Sequence, residues 1–118
     1  MSEMRAMKNK KPYSWQDKDV LRLIHLRYDG SDKELTTAIA LYLVLTFVAS
    51  NKGSDNFEVT RGALRGYSGL AFPTIDKRLK EFEELEIIKI VRNRWSKKDK
   101  KKLPLVVTLY SLPEEKGM

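Results

Sequence analysis

The sequence predicts an α+β domain of three to four helices followed by a β-hairpin, and three observations carry that prediction. The stretch Ser31-Asp32-Lys33-Glu34 has the form of a helix-opening capping box, and an almost wholly apolar run follows it from Ala38 to Ala49. Residues 60–85 read as a short helix, a tight turn and a longer helix. Two β-branched runs, 87–92 and 105–111, flank a segment of seven cations. A chain of 118 residues suits one domain with a modest core. We divide it into a flexible basic arm (1–12), a folded domain (13–112) and a short tail (113–118).

In the first helical segment Ser14 and Asp17 loosely match a capping pair, and Val20, Leu23, Ile24, Arg27 and Tyr28 fall at helical spacing. This predicts a short helix over 15–28, broken by Asp29-Gly30. The second helix runs from the SDKE box to about Ser50, stopped by Asn51-Lys52-Gly53-Ser54. Only Thr46 is polar between Ala38 and Ala49, so this helix is apolar all round. Twelve residues reach about 18 Å, short of a bilayer core of roughly 30 Å. The expectation is a central core helix that shares its outer face with another subunit. Phe57-Glu58-Val59 is a short strand, and Thr60 caps a helix over 61–67. After Ser68-Gly69, a further helix spans 72–85, with Pro73 tolerated in its first turn. Its buried stripe is Ile75, Leu79, Phe82 and Leu85, joined by Leu70. Asp76, Lys77, Lys80, Glu81, Glu83 and Glu84 are expected to face outward.

Charge is unevenly placed. The net charge is +7. Residues 92–102 carry Arg92, Arg94, Lys97, Lys98, Lys100, Lys101 and Lys102 against Asp99. The arm carries Arg5, Lys8, Lys10 and Lys11 against Glu3, whereas 13–91 has 11 bases and 12 acids. Such polarisation fits a polyanionic partner, and equally a solvated loop kept for solubility. The chain has no cysteine and one histidine, His25, so neither a thiol site nor a histidine-based metal or triad site can be assembled. No cofactor, metal or enzymatic activity is expected, and with no apolar leader a cytoplasmic chain is.

Short helix, turn, longer helix and hairpin, in that order, resemble the winged helix-turn-helix proteins. The likeness is carried by GLAFPTIDKRLKEFEELEII, Gly69 to Ile88, in which Gly69, Leu70, Ala71, Thr74, Ile75, Leu79, Phe82, Leu85 and Ile88 match the family's turn and recognition-helix pattern. It extends over roughly 31–112. Two positions depart: Ala71 stands where a Ser or Thr cap is usual, and Glu86 where a glycine is usual. A left-handed Glu86 would cost about 1 kcal/mol, so the helix is expected to end differently.

The resemblance implies double-stranded DNA as partner, a homodimer, and no membrane. On this reading Thr74, Lys77 and Arg78 contact DNA from the recognition helix, and Arg61 and Arg65 grip the backbone from the helix before it. Arg92, Arg94, Lys97, Lys98, Lys100, Lys101 and Lys102 act from the wing, and Lys10 and Lys11 from the arm. Each has a plainer alternative: a helix-surface ion pair for Lys77, surface solubility for Arg61 and Arg65, hairpin anchoring for Trp95. The organisation resembles that of small winged-helix proteins of plasmids, phages and other mobile elements, which implies an accessory role in replication, partition or conjugative transfer within a nucleoprotein complex. MarR-like repressors are the second resemblance, through Asp99-Lys100-Lys101 before Val106-Val107-Thr108-Leu109. A protein–protein adaptor is the third reading.

Overall fold

The computed structural model describes residues 3–4, 18–92, 94–98 and 100–111, with only the backbone of Glu3, Met4 and Ser111. Ser31 caps the long helix as its spacing predicts: its hydroxyl accepts from the Glu34 N–H at 3.4 Å. That helix, α2, runs Asp32–Lys52, after α1 at Lys18–Arg27. Gly53 closes α2 at φ 70°, with the Ser54 N–H reaching back to the Ala49 carbonyl at 3.1 Å. β2 (Asn56–Val59) leads to α3 (Arg61–Ser68), where Thr60 accepts from the Ala63 N–H at 3.0 Å. α4 spans Phe72–Glu84 and has no side-chain cap at Ala71.

The end of α4 corrects one expectation. Glu86 does adopt the left-handed conformation, at φ 61°. Its N–H bonds to the Glu83 carbonyl at 3.0 Å, and the Ile87 N–H bonds to the Phe82 carbonyl at 3.2 Å. This is the six-to-one closure usually built on glycine. The helix ends there because two orphan carbonyls are satisfied, in spite of the side chain.

In the sheet, β6 (Leu105–Ser111) pairs antiparallel with both β2 and β3 (Ile88–Val91), in registers Phe57↔Val107 and Ile90↔Val107. A two-residue strand, β1 (Glu3–Met4), pairs with Ser111 and Tyr110, so part of the arm joins the sheet rather than standing apart from it. Alternation puts Phe57, Val59, Ile88, Ile90, Val107 and Leu109 on the buried face. Against it pack α2, through Leu41, Tyr42 and Leu45, and α4, through Ile75, Leu79 and Phe82. Tyr42 and Phe82 meet edge to face at 6.5 Å. Truncating a ring so enclosed costs about 3–5 kcal/mol. Four helices and a small antiparallel sheet in this order form an α+β globule compatible with a winged helix.

Two further points concern α1 and α2. The first helix is described only from Lys18, so Ser14 and Asp17 lie outside the described residues. α2 has 21 residues and a mean hydropathy of 1.4 over its most apolar window, so it reaches about 31 Å and its length does not forbid a membrane span. Its packing provides the better argument. Ala38, Leu41, Tyr42, Leu45 and Ala49 are buried against the sheet and the other helices, as in the core helix of a soluble domain.

Candidate nucleic-acid interface

Beyond the β3–β6 ladder the hairpin narrows into a second ribbon, β4 (Trp95–Ser96) with β5 (Lys101–Lys102), in register Trp95↔Lys102. Leu103 N–H bonds to the Arg94 carbonyl at 3.0 Å and continues the ribbon. Lys100, at φ 52°, helps turn its tip.

The seven cations of the wing separate into two groups. Arg92 and Arg94 stand at its base and are engaged. The Arg92 guanidinium contacts Glu83 of α4 at 2.7 Å, and Glu83 also accepts from the Ile90 N–H at 3.3 Å. Arg94 donates to Glu58 of β2 at 2.8 Å and to the Pro104 carbonyl at 3.1 Å. These arginines tie the wing to the body, each neutralised by its carboxylate. Lys97, Lys98, Lys100, Lys101 and Lys102 are exposed and form no ion pair with a described residue. Trp95 is 61% exposed, so it does not anchor the hairpin in the core; its ring lies on the surface beside the lysines.

On the helical side, Arg78 is the main correction. It was expected to face DNA, yet only 5% of it is exposed. Its guanidinium bonds to Glu81 at 2.6 Å and to the Thr37 hydroxyl at 3.0 Å, and it lies 5.2 Å from the centre of the Tyr28 ring. Glu81, expected outside, is buried as well; it accepts from the Tyr28 hydroxyl at 2.6 Å. Burial alone would raise the Glu81 carboxyl pKa. The Tyr28 hydroxyl, Arg78 and Arg27 outweigh that and hold it below the ordinary glutamate value. Burial and the Glu81 contact push the Tyr28 phenol well above its ordinary value. This cluster locks α1, α2 and α4 together and leaves Arg78 almost no surface for DNA. The spacing carried the signal: Arg78 is three residues after buried Ile75 and four before buried Phe82, on the edge of the inward stripe.

Arg61 and Arg65 stay at the surface but are not free-standing. Their guanidinium carbons lie 4.6 and 5.1 Å from the centre of the half-buried Phe72 ring. Arg61 also holds Asp76 through two bonds of 3.0 and 2.7 Å. Asp76 is thus charge-balanced rather than a lone repulsive group. Lys77 is exposed, and Thr74 is half-buried in the first turn of α4. Arg61, Asp76 and Leu79 face Arg92, Lys102 and Leu105 across a cleft of about 250 Å³ between the helices and the wing. The structure therefore brings Arg61, Arg65, Lys77 and the wing lysines to the exterior, and removes Arg78. Lys10, Lys11 and Asp99 lie outside the described residues.

Among the described residues no group of three or more His, Asp or Glu side chains is placed to hold a metal ion. Comparison of the chain with family models, with curated proteins and with solved structures finds no match.

Proposed function

We propose that this chain binds double-stranded DNA as a homodimeric winged helix, with the wing tip supplying most of the attraction. The observation that carries the reading is the division of the wing's charge. Arg92 and Arg94 are spent on building the wing, while five lysines project from a two-stranded tip with no carboxylate from the described residues against them. A lysine loop kept only for solubility needs no such scaffold. A ribbon held out by two ion pairs beside a helix-turn-helix is suited to following a phosphate backbone. α4 then positions the domain through Thr74 and Lys77, with Arg65 gripping from α3. The resemblance of Gly69 to Ile88 extends the proposal to sequence-specific binding in an accessory or regulatory role on a plasmid or other mobile element, which the genes neighbouring this one would test.

The direct test is binding to duplex DNA across a salt series. Five phosphate contacts from the wing give a slope of log affinity against log salt of about −4 to −5, and contacts from the arm steepen it toward roughly −7. A nearly flat dependence would contradict the proposal.

A further inference from the structure

The outer face of α2 carries a second pattern that the core does not use. Ala38, Leu41, Tyr42, Leu45 and Ala49 point inward. On the opposite side Thr36, Ala40, Leu43, Phe47 and Ser50 recur at alternating spacings of four and three. That is the seam of one helix packing along another, with a repeat of 3.5 residues. Leu43 and Phe47 are 41% and 40% exposed, large values for apolar residues in the middle of the longest helix. The Phe47 ring meets Tyr67 of α3 at 5.3 Å, and Tyr67 is itself 58% exposed, so the apolar surface continues onto α3.

The seam is complementary to itself in one orientation. If two copies of α2 run antiparallel about a two-fold axis between Ala40 and Leu43, Leu43 faces the second copy's Ala40 and Phe47 faces its Thr36. Each large side chain meets a small one. The same axis sets the helix dipoles in opposition. A parallel pair would stack Phe47 on Phe47 and leave no small side chain opposite it. A lipid surface would require a broad apolar face with basic flanks, whereas this stripe is narrow and Asp32 stands beside Lys33 at its start. We propose that α2 is the homodimer interface, packed antiparallel on the α2 of a second copy through Leu43 and Phe47. This deepens the homodimer in the functional reading by naming its surface and geometry.

The test uses the full chain in sedimentation equilibrium from about 1 to 100 μM, a range chosen to bracket micromolar dissociation constants. The native chain is expected to dimerise reversibly. Leu43→Glu should weaken the dimer at least tenfold with unchanged circular dichroism, while Leu26→Glu on α1, at a side chain 70% exposed, should not. Orientation is read separately, because the chain has no cysteine of its own. Mixed Lys33→Cys and Asn51→Cys chains should form a disulfide dimer. Neither alone should, since antiparallel pairing holds identical positions on the order of 25 Å apart. A native monomer at 100 μM, dissociation by Leu26→Glu but not Leu43→Glu, or self-crosslinking of Asn51→Cys would each overturn the proposal. The outcome is separable from the DNA reading, because a monomeric Leu43→Glu chain should still bind a single half-site. Absence of duplex binding by both native and variant chains would sink that reading and leave the dimer standing.

Discussion

Arg78 and Lys101 carry the same charge in opposite circumstances. Arg78 is enclosed between α1, α2 and α4, where Glu81, Glu34, Thr37 and the Tyr28 ring occupy its guanidinium. Lys101 stands on a two-residue strand at the wing tip, exposed, with no ion pair to a described residue. The contrast separates charge that serves folding from charge that the fold leaves unused. A buried guanidinium is tolerated only when its hydrogen bonds and its charge are both met. A lysine at the tip loses little hydration in the free protein and gains only when a polyanion releases its counterions. The base of the wing lies between these extremes. Arg92 and Arg94 are partly exposed, yet each is matched to one carboxylate and holds the ribbon in place.

Substitutions that cross this divide test it. The largest effect is expected inside. Arg78→Ala strands Glu81 in a buried site and should lower stability by about 3–5 kcal/mol, measured by denaturant unfolding. Replacing all five tip lysines by alanine should change the unfolding free energy by no more than about 0.5 kcal/mol. A comparable loss from both variants would erase the distinction.

Acid should act on the same inner cluster. The folded-state pKa of Glu81 lies below its unfolded value, so its contribution is complete above the unfolded value and fades as pH falls through the folded one. Stability should therefore drop as pH is lowered below about 4. Glu81→Gln should be less stable at pH 7 and lose part of that slope in pH-dependent unfolding. An unchanged slope would mean that other carboxylates govern acid unfolding.

Two smaller effects sharpen the picture from the backbone. Glu86→Gly should relieve the left-handed residue at the end of α4 and add roughly 0.5–1 kcal/mol. Gly66→Ala should add a similar or smaller amount by helix propensity, about 0.5–1 kcal/mol. A Cβ there meets nothing within 4 Å, and its backbone is not left-handed. Thermal melts measure both. If Gly66→Ala stabilises the fold while weakening duplex binding, the exposed face of α3 approaches the DNA backbone closely.

Much of the scaffold was legible in sequence because its signals are local. The Ser31 and Thr60 caps, the glycine stops at Gly53 and Gly69 and the alternation in Ile88–Val91 each act within a few residues. What escaped was long-range. Nothing near Arg78 in the chain announces Tyr28, fifty residues earlier, whose hydroxyl completes the site for Glu81. The ties of Arg94 to Glu58 and of Arg61 to Asp76 likewise join separate elements. Reading seven equivalent wing cations was therefore too simple, since pairing partners decide which of them remain available. Glu86 erred the other way: propensity spoke against a left-handed residue, but the closure of two carbonyls at the helix end outweighed a cost of about 1–2 kcal/mol.

On the proposed function the tip lysines, rather than α4, dominate attraction to duplex DNA. Two folded variants should be compared by fluorescence anisotropy on one duplex across one salt series. The first replaces Lys97, Lys98, Lys100, Lys101 and Lys102 by alanine; the second replaces Thr74 and Lys77. The account predicts that the wing variant flattens the slope of log affinity against log salt by about 4, while the helix variant changes it by about 1. A helix variant that loses more affinity than the wing variant, with the wing variant's slope unchanged, would contradict it.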